Sequence, residues 1–150
     1  MDRLGAGRIG SLLGRLGGLE WRIGVDILAT LVARHHPRTR FLGFAAQTVE
    51  GEGEVAEAAL VELGVGKLEA KGADAVFVNR VGVPGLGFAS PTNAGALILR
   101  GALVGADGHQ VIASGPPVAK PALARWILSE LGEALWGGEG SALNVRRGEA

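Results

Sequence analysis

Two lysines stand four residues apart in the segment KLEAKGADAVFVN, Lys67 to Asn79, just ahead of a glycine and a short apolar run. At that spacing their stems share one face of a helix. Two ammonium groups about 6 Å apart repel by about 0.7 kcal/mol in water, and cations are favoured near a helix C-terminus. On the residues alone the pair reads most simply as a complement to the helix dipole. The sharper chemistry is a clamp for a polyphosphate, since lysine is a common phosphate ligand. Open α/β sheets bind ligands beyond the carboxyl ends of their strands. Phe44 and Asn79 are expected near the ends of the two apolar runs that flank the helix, within reach of such a ligand.

Other residues carry weaker signals. Phe44 sits in an apolar run and reads as core, although Gly43, Ala45 and Ala46 beside it leave room for a flat base. Asp26 suits the N-cap of a helix. Asn79 and Asn93 read as turn residues. His35 and His36 are adjacent while His109 lies far along the chain, so no metal site is expected. Neither a Ser-His-Asp arrangement nor an acid/base pair emerges.

One further motif is GAGRIG, Gly5 to Gly10, which matches the G-x-G-x-x-G of dinucleotide-binding folds. That motif requires a strand before it and an acidic residue closing a second strand after it. Only four residues precede it here, and Glu20 lies on no recognisable strand. A glycine-rich leader is the simpler reading.

These residues need elements to position them. VDILATLVAR, Val25 to Arg34, has the spacing of a helix with Ile27, Leu28, Leu31 and Val32 on one face, and Pro37 stops it. RFLGFAA, Arg40 to Ala46, predicts a buried strand. Residues Glu54 to Lys71 predict a helix, interrupted near Gly64 and Gly66, with Gly72 as its cap. DAVFVN, Asp74 to Asn79, predicts a second buried strand. Strand, helix, strand is the signature of a parallel pair. Residues Gly82 to Asn93 read as a loop. ALILRGALV and HQVIAS read as a protruding antiparallel hairpin joined by Gly105 to Gly108. Pro121 to Trp136 reads as an amphipathic helix with a stripe of Leu123, Ile127, Leu131 and Leu135. The expected class is α/β: a partial Rossmann-like αβα sandwich with parallel strands, an antiparallel hairpin and a C-terminal helix. Three segments are expected: a divergent or poorly ordered leader over 1–24, the α/β domain over 25–136 and a flexible tail over 137–150.

Composition narrows the function. Fifteen basic residues balance fifteen acidic ones, so no global field draws the chain to nucleic acid or an anionic membrane. With no cysteine, thiolate catalysis and disulfides are excluded, which fits a cytoplasmic setting. No apolar run reaches the length of about 20 residues that a membrane span needs.

Read in order, DILATL (26–31), FLGFAAQT (41–48), KLEAKGADAVFVN (67–79), GFASPTNAGALIL (87–99) and AKPALARWILSEL (119–131) resemble the C-terminal half of phosphopantothenate–cysteine ligase. The resemblance implies a place in coenzyme A biosynthesis. In that family CTP activates the carboxylate of 4′-phosphopantothenate, pyrophosphate leaves, and the amine of cysteine displaces CMP from the acyl-cytidylate. It further implies that Val25, Asp26, Ile27 and Leu28 contact the nucleotide. Phe44 would lie beside the cytosine, Lys67 and Lys71 would hold the triphosphate, and Asn79 would face the substrate side. CTP with magnesium is the implied ligand, and no flavin is expected on this chain. Catalytic residues of the family's first half have no counterpart here, so a homodimer or a partner chain would complete the site. Two rival readings remain: a non-catalytic dimerisation or interaction module of the same fold, and a small dinucleotide-binding protein using Gly5 to Gly10. Val25 stands where the family usually has proline, and Arg80 where aspartate or proline is common.

Overall fold

Four strands form the main sheet in the computed structural model, which describes residues 24–83, 87, 90–105 and 107–136. The elements run α1 (Ile27–His35), β1 (Leu42–Gln47), α2 (Gly53–Lys71), β2 (Ala75–Arg80), β3 (Thr92–Asn93), β4 (Gly95–Arg100), α3 (Gly101–Val104), β5 (His109–Ala113), β6 (Val118–Ala119) and α4 (Lys120–Trp136). Sheet order is β1-β2-β4-β5, and β3 pairs with β6 in a separate two-stranded ladder. The leader with GAGRIG and the tail from residue 137 lie outside the described residues.

The βαβ expectation holds: β1 and β2 are parallel, with Phe44 opposite Phe77, and α2 makes the crossover. The expected hairpin is antiparallel, but it does not protrude. Its first strand, β4, pairs with β2 as well and becomes a central strand. The residues explain this, because Ala96, Leu97, Ile98 and Leu99 are all buried. A continuous apolar run needs cover on both faces.

That cover comes from two helices. On one face α2 brings Ala56, Leu60 and Leu68 against Val76, Val78 and Ile98. On the other, α4 brings Leu123 and Ile127 against Phe77, Leu97 and Leu99. Leu131 of the expected stripe packs at the edge of this second cluster. The result is the Rossmann-like sandwich expected, with one parallel pair in a mixed sheet.

The interruption expected in α2 does not occur; the helix runs unbroken through Gly64 and Gly66. Gly64 is buried because α2 presses onto the sheet there. A Cβ at that position would fall 2.4 Å from Ile98 Cδ1 and 2.9 Å from Val78 Cγ1. The glycine is thus a contact point, and packing outweighs its poor helix propensity of about 1 kcal/mol. Gly72 ends α2 in the left-handed conformation, φ +66°, as a C-cap glycine does.

Asp74 anchors the turn into β2. It is 3% exposed, and its carboxylate accepts from the Phe41 backbone N–H at 2.8 Å and from Arg40 Nη1 at 3.0 Å. His36 Nε2 lies 3.2 Å from the same carboxylate. This cluster ties the end of α1 to the starts of β1 and β2. His36, beside Pro37, remains exposed while its ring makes this contact with Asp74. Arg100 supports the same corner, with Nε donating to the Ala73 carbonyl at 3.0 Å and Nη2 to that of Leu68 at 3.3 Å.

Candidate functional site

A cleft of about 300 Å³ follows the rim of β1, bounded by Leu28 of α1, Gly43 to Gln47 of β1, Lys67 and Lys71 of α2, and Val76 of β2. Gly43 shapes its floor. A Cβ there would meet Val76 Cγ2 at 3.2 Å and Leu28 Cδ2 at 3.3 Å, so its absence lets α1 close onto the strand. Among the described residues β1 pairs only with β2, which leaves its other edge facing the cleft.

Phe44 is not core. It is 71% exposed, because α4, which covers its face of the sheet, packs over β2 and β4 and among the described residues of β1 reaches Leu42 alone. Alternation sends Gly43 and Ala45 toward α2, and Phe44 to the opposite face. There its ring leans on Phe77, with centroids 6.2 Å apart and planes tilted by 60°. The lysines and the ring therefore approach one cleft from the two sides of the β1 rim.

The cleft also departs from the expected place beyond the carboxyl ends of the strands. A crossover helix runs antiparallel to the strands it joins, so its last turn lies beside the amino end of the next strand. Lys67 and Lys71 therefore sit where α2 hands over to β2, and the cleft extends from there along β1 to Gln47. Asn79 belongs to the other end of β2 and does not line it. Its side-chain amide instead donates to the Arg80 carbonyl at 3.3 Å and to Asn93 Oδ1 at 3.5 Å. The two asparagines expected in turns thus face each other from β2 and β3.

Asp26 is the N-cap of α1, its carboxylate accepting from the Ala29 N–H at 3.1 Å. It also forms an ion pair with Lys71 Nζ. Sequence reasoning found both residues but not this bond, which joins positions far apart in the chain. The Lys71 hydrogen bond, then the Ala29 N–H, hold the Asp26 carboxyl below its ordinary value of 3.8. A depressed carboxyl stabilises the fold above its unfolded value, and the effect is lost as pH falls through the lower folded value. The start of α1 is therefore expected to hold at pH 5 to 7 and to loosen below about 3.8. An acid titration of the Ala29 amide by NMR checks this. Asp26→Asn, which keeps a capping side chain, should remove the titration; an unchanged profile in that variant would refute the assignment.

The rest of the expected nucleotide segment behaves differently. Leu28 lines the cleft, whereas Val25 and Ile27 are 78% and 72% exposed and do not. Of the apolar stripe on α1 only Val32 is buried among the described residues. It packs at Gly72, where a Cβ would lie 3.4 Å from Val32 Cγ1. No group of three or more His, Cys, Asp or Glu side chains converges among the described residues, and none of their helices is long and apolar enough to cross a membrane.

A mixed sheet sandwiched by helices, with a lysine-walled cleft at its rim, defines a Rossmann-like α/β domain. Residues 14–133 match the family described as the DNA/pantothenate metabolism flavoprotein C-terminal domain, and the chain belongs to that family. Among solved structures it is similar to the C-terminal domain of the coenzyme A biosynthesis bifunctional protein CoaBC, at 28% identity and a TM-score of 0.52. That match covers 75% of this chain and 45% of the other, so the chain spans less than half of its neighbour's length. The resemblance to the C-terminal half of the ligase domain is thereby borne out. The DNA/pantothenate metabolism flavoprotein from Streptococcus pneumoniae also matches, at 16% identity, a TM-score of 0.48, and coverage of 73% and 39%. No curated protein sequence matches the chain.

Proposed function

We propose that this domain supplies the nucleotide-binding half of a CTP-dependent ligase site that joins 4′-phosphopantothenate to cysteine. One observation carries the reading: Lys67, Lys71, Phe44 and Leu28 bound a single cleft, in a chain of the coenzyme A biosynthesis flavoprotein family. The lysines would offset the charge of the triphosphate and of the departing pyrophosphate. Phe44, exposed at the rim, would offer its ring to the base. Magnesium would arrive with the triphosphate as part of the substrate.

In this reading the substrate carboxylate attacks the α-phosphorus of CTP and pyrophosphate leaves. The cysteine amine then attacks the acyl carbon and CMP leaves. The groups that orient the carboxylate and accept the amine proton would come from a second copy or a partner chain at the open edge of β1.

The test has two stages. Isothermal titration of the chain with CTP and magnesium is expected to show weak, saturable binding. Mixing with the first half of an intact ligase is then expected to give CMP release that requires both 4′-phosphopantothenate and cysteine. Absence of CTP binding in both settings would end the reading. Binding without turnover would leave the interaction module as the better account.

A further inference from the structure

A second, more apolar hollow plays no part in that cleft. It is a groove of about 530 Å³ beside the first half of α2, floored by β4 and β5 and closed by the Gly115 to Pro117 corner. It exists because α2 covers β1, β2 and β4 but leaves the same face of β5 bare, so that Val111 is 44% exposed. Leu60, Val61, Ala96, Val111, Pro116 and Pro117 give it apolar walls. The volume lies within the range of about 300–1,000 Å³ usual for small-molecule sites.

One cation stands in this apolar setting. Arg80, the last residue of β2, lines the groove. Its Nη2 donates to the Gly51 carbonyl at 2.7 Å, but its Nε–H is buried and has no hydrogen-bond partner among the described residues. A buried donor without an acceptor is costly and uncommon in folded proteins. The Nε and Nη2 edge of a guanidinium matches the two oxygens of a carboxylate. A small turn of the group, exchanging the Gly51 carbonyl for a ligand oxygen, would pair both donors at once.

We propose that this groove is a second ligand site, for a small monocarboxylate with an apolar body. Arg80 pairs with the carboxylate, and the walls of α2, β4 and β5 hold the body. Glu57 also lines the groove, and its charge opposes an anionic ligand. The site is independent of the cleft on β1 and of the ligase reading.

Hexanoate is the probe, titrated into the labelled chain and followed by NMR. The expected result is saturable shifts confined to the amides of Gly51–Val61, Ala94–Ala96 and Val111–Ala113. Hexanol, which lacks the charge, and acetate, which lacks the body, should each bind at least about tenfold more weakly. Arg80→Gln should weaken hexanoate by about tenfold or more, and Glu57→Gln should strengthen it. If Arg80→Gln does not fold, Val111→Trp, which fills the groove from its exposed side, replaces it and should abolish binding. Equal binding of hexanol and hexanoate overturns the proposal, as do shifts located elsewhere or retained affinity in the groove variant. No hexanoate binding overturns it too, whether Glu57 swings onto Arg80 or a second copy covers the groove.

Discussion

Replacing Lys67 and Lys71 together by alanine is expected to raise the Kd for CTP by at least about 100-fold, with little change in thermal stability. Hydrogen bonds to charged groups contribute about 1.5–3 kcal/mol each, and every 1.4 kcal/mol is tenfold in affinity. The two lysines should not weigh equally. Lys67 is exposed and makes no hydrogen bond among the described residues, whereas Lys71 is paired with Asp26. Removing Lys71 therefore deletes a cation and also leaves a bare carboxylate facing the triphosphate. Lys71→Ala should cost more affinity than Lys67→Ala. Asp26→Asn should tighten binding, because Lys71 then has no competing anion. Titration calorimetry of the three single variants and the double separates these effects. A double variant that binds CTP as the parent does would remove the lysines from the site.

Gly95→Ala is expected to be the most damaging small substitution in the domain. A Cβ at Gly95 would lie 2.2 Å from the Val78 carbonyl oxygen and 2.8 Å from Phe77 Cζ. The first of these is backbone in the neighbouring central strand, so no rotamer change relieves it. Overpacking costs about 1–3 kcal/mol and occasionally more, and this site belongs at or beyond the upper end. Against a total stability of about 5–15 kcal/mol, that should lower Tm by roughly 10 °C, at about 2–4 °C per kcal/mol. Gly66→Ala is the matched control. Nothing lies within 4 Å of its Cβ position, and alanine in an exposed helix gains about 1 kcal/mol over glycine. Thermal unfolding by circular dichroism should rank Gly66→Ala above the parent and Gly95→Ala well below it. Equal melting of all three would mean that the close approach of β2 and β4 is not tight.

The contrast between these two glycines marks what the sequence reveals. Local signals were readable: Asp26 as a cap, Gly72 as a left-handed stop, the Leu123 and Ile127 stripe, and the parallel pair on either side of α2. Each depends on residues a few positions apart. Gly64 reads as a breaker because its partner atoms, on Val78 and Ile98, belong to strands that pattern alone cannot bring near. Phe44 reads as core for the same reason, since an apolar run does not disclose that its strand lies at the edge of the sheet. The hairpin strands carry no mark that one of them joins β2. The position of the lysine cleft was within reach, because a crossover helix returns its last turn to the amino ends of the strands. The pairing of Lys71 with Asp26 was not, as it joins residues from separate elements with no shared pattern.

The bond between Asp26 and Lys71 makes α1 a built-in reporter. While the ammonium stays with the carboxylate, the first turn of α1 is fastened to the last turn of α2. An anion that draws Lys71 into the cleft unfastens that joint, leaving Asp26 with the Ala29 N–H alone. Occupancy of the rim would then register as faster amide exchange at Ala29, in the opening turn of a helix whose Leu28 borders the same cleft.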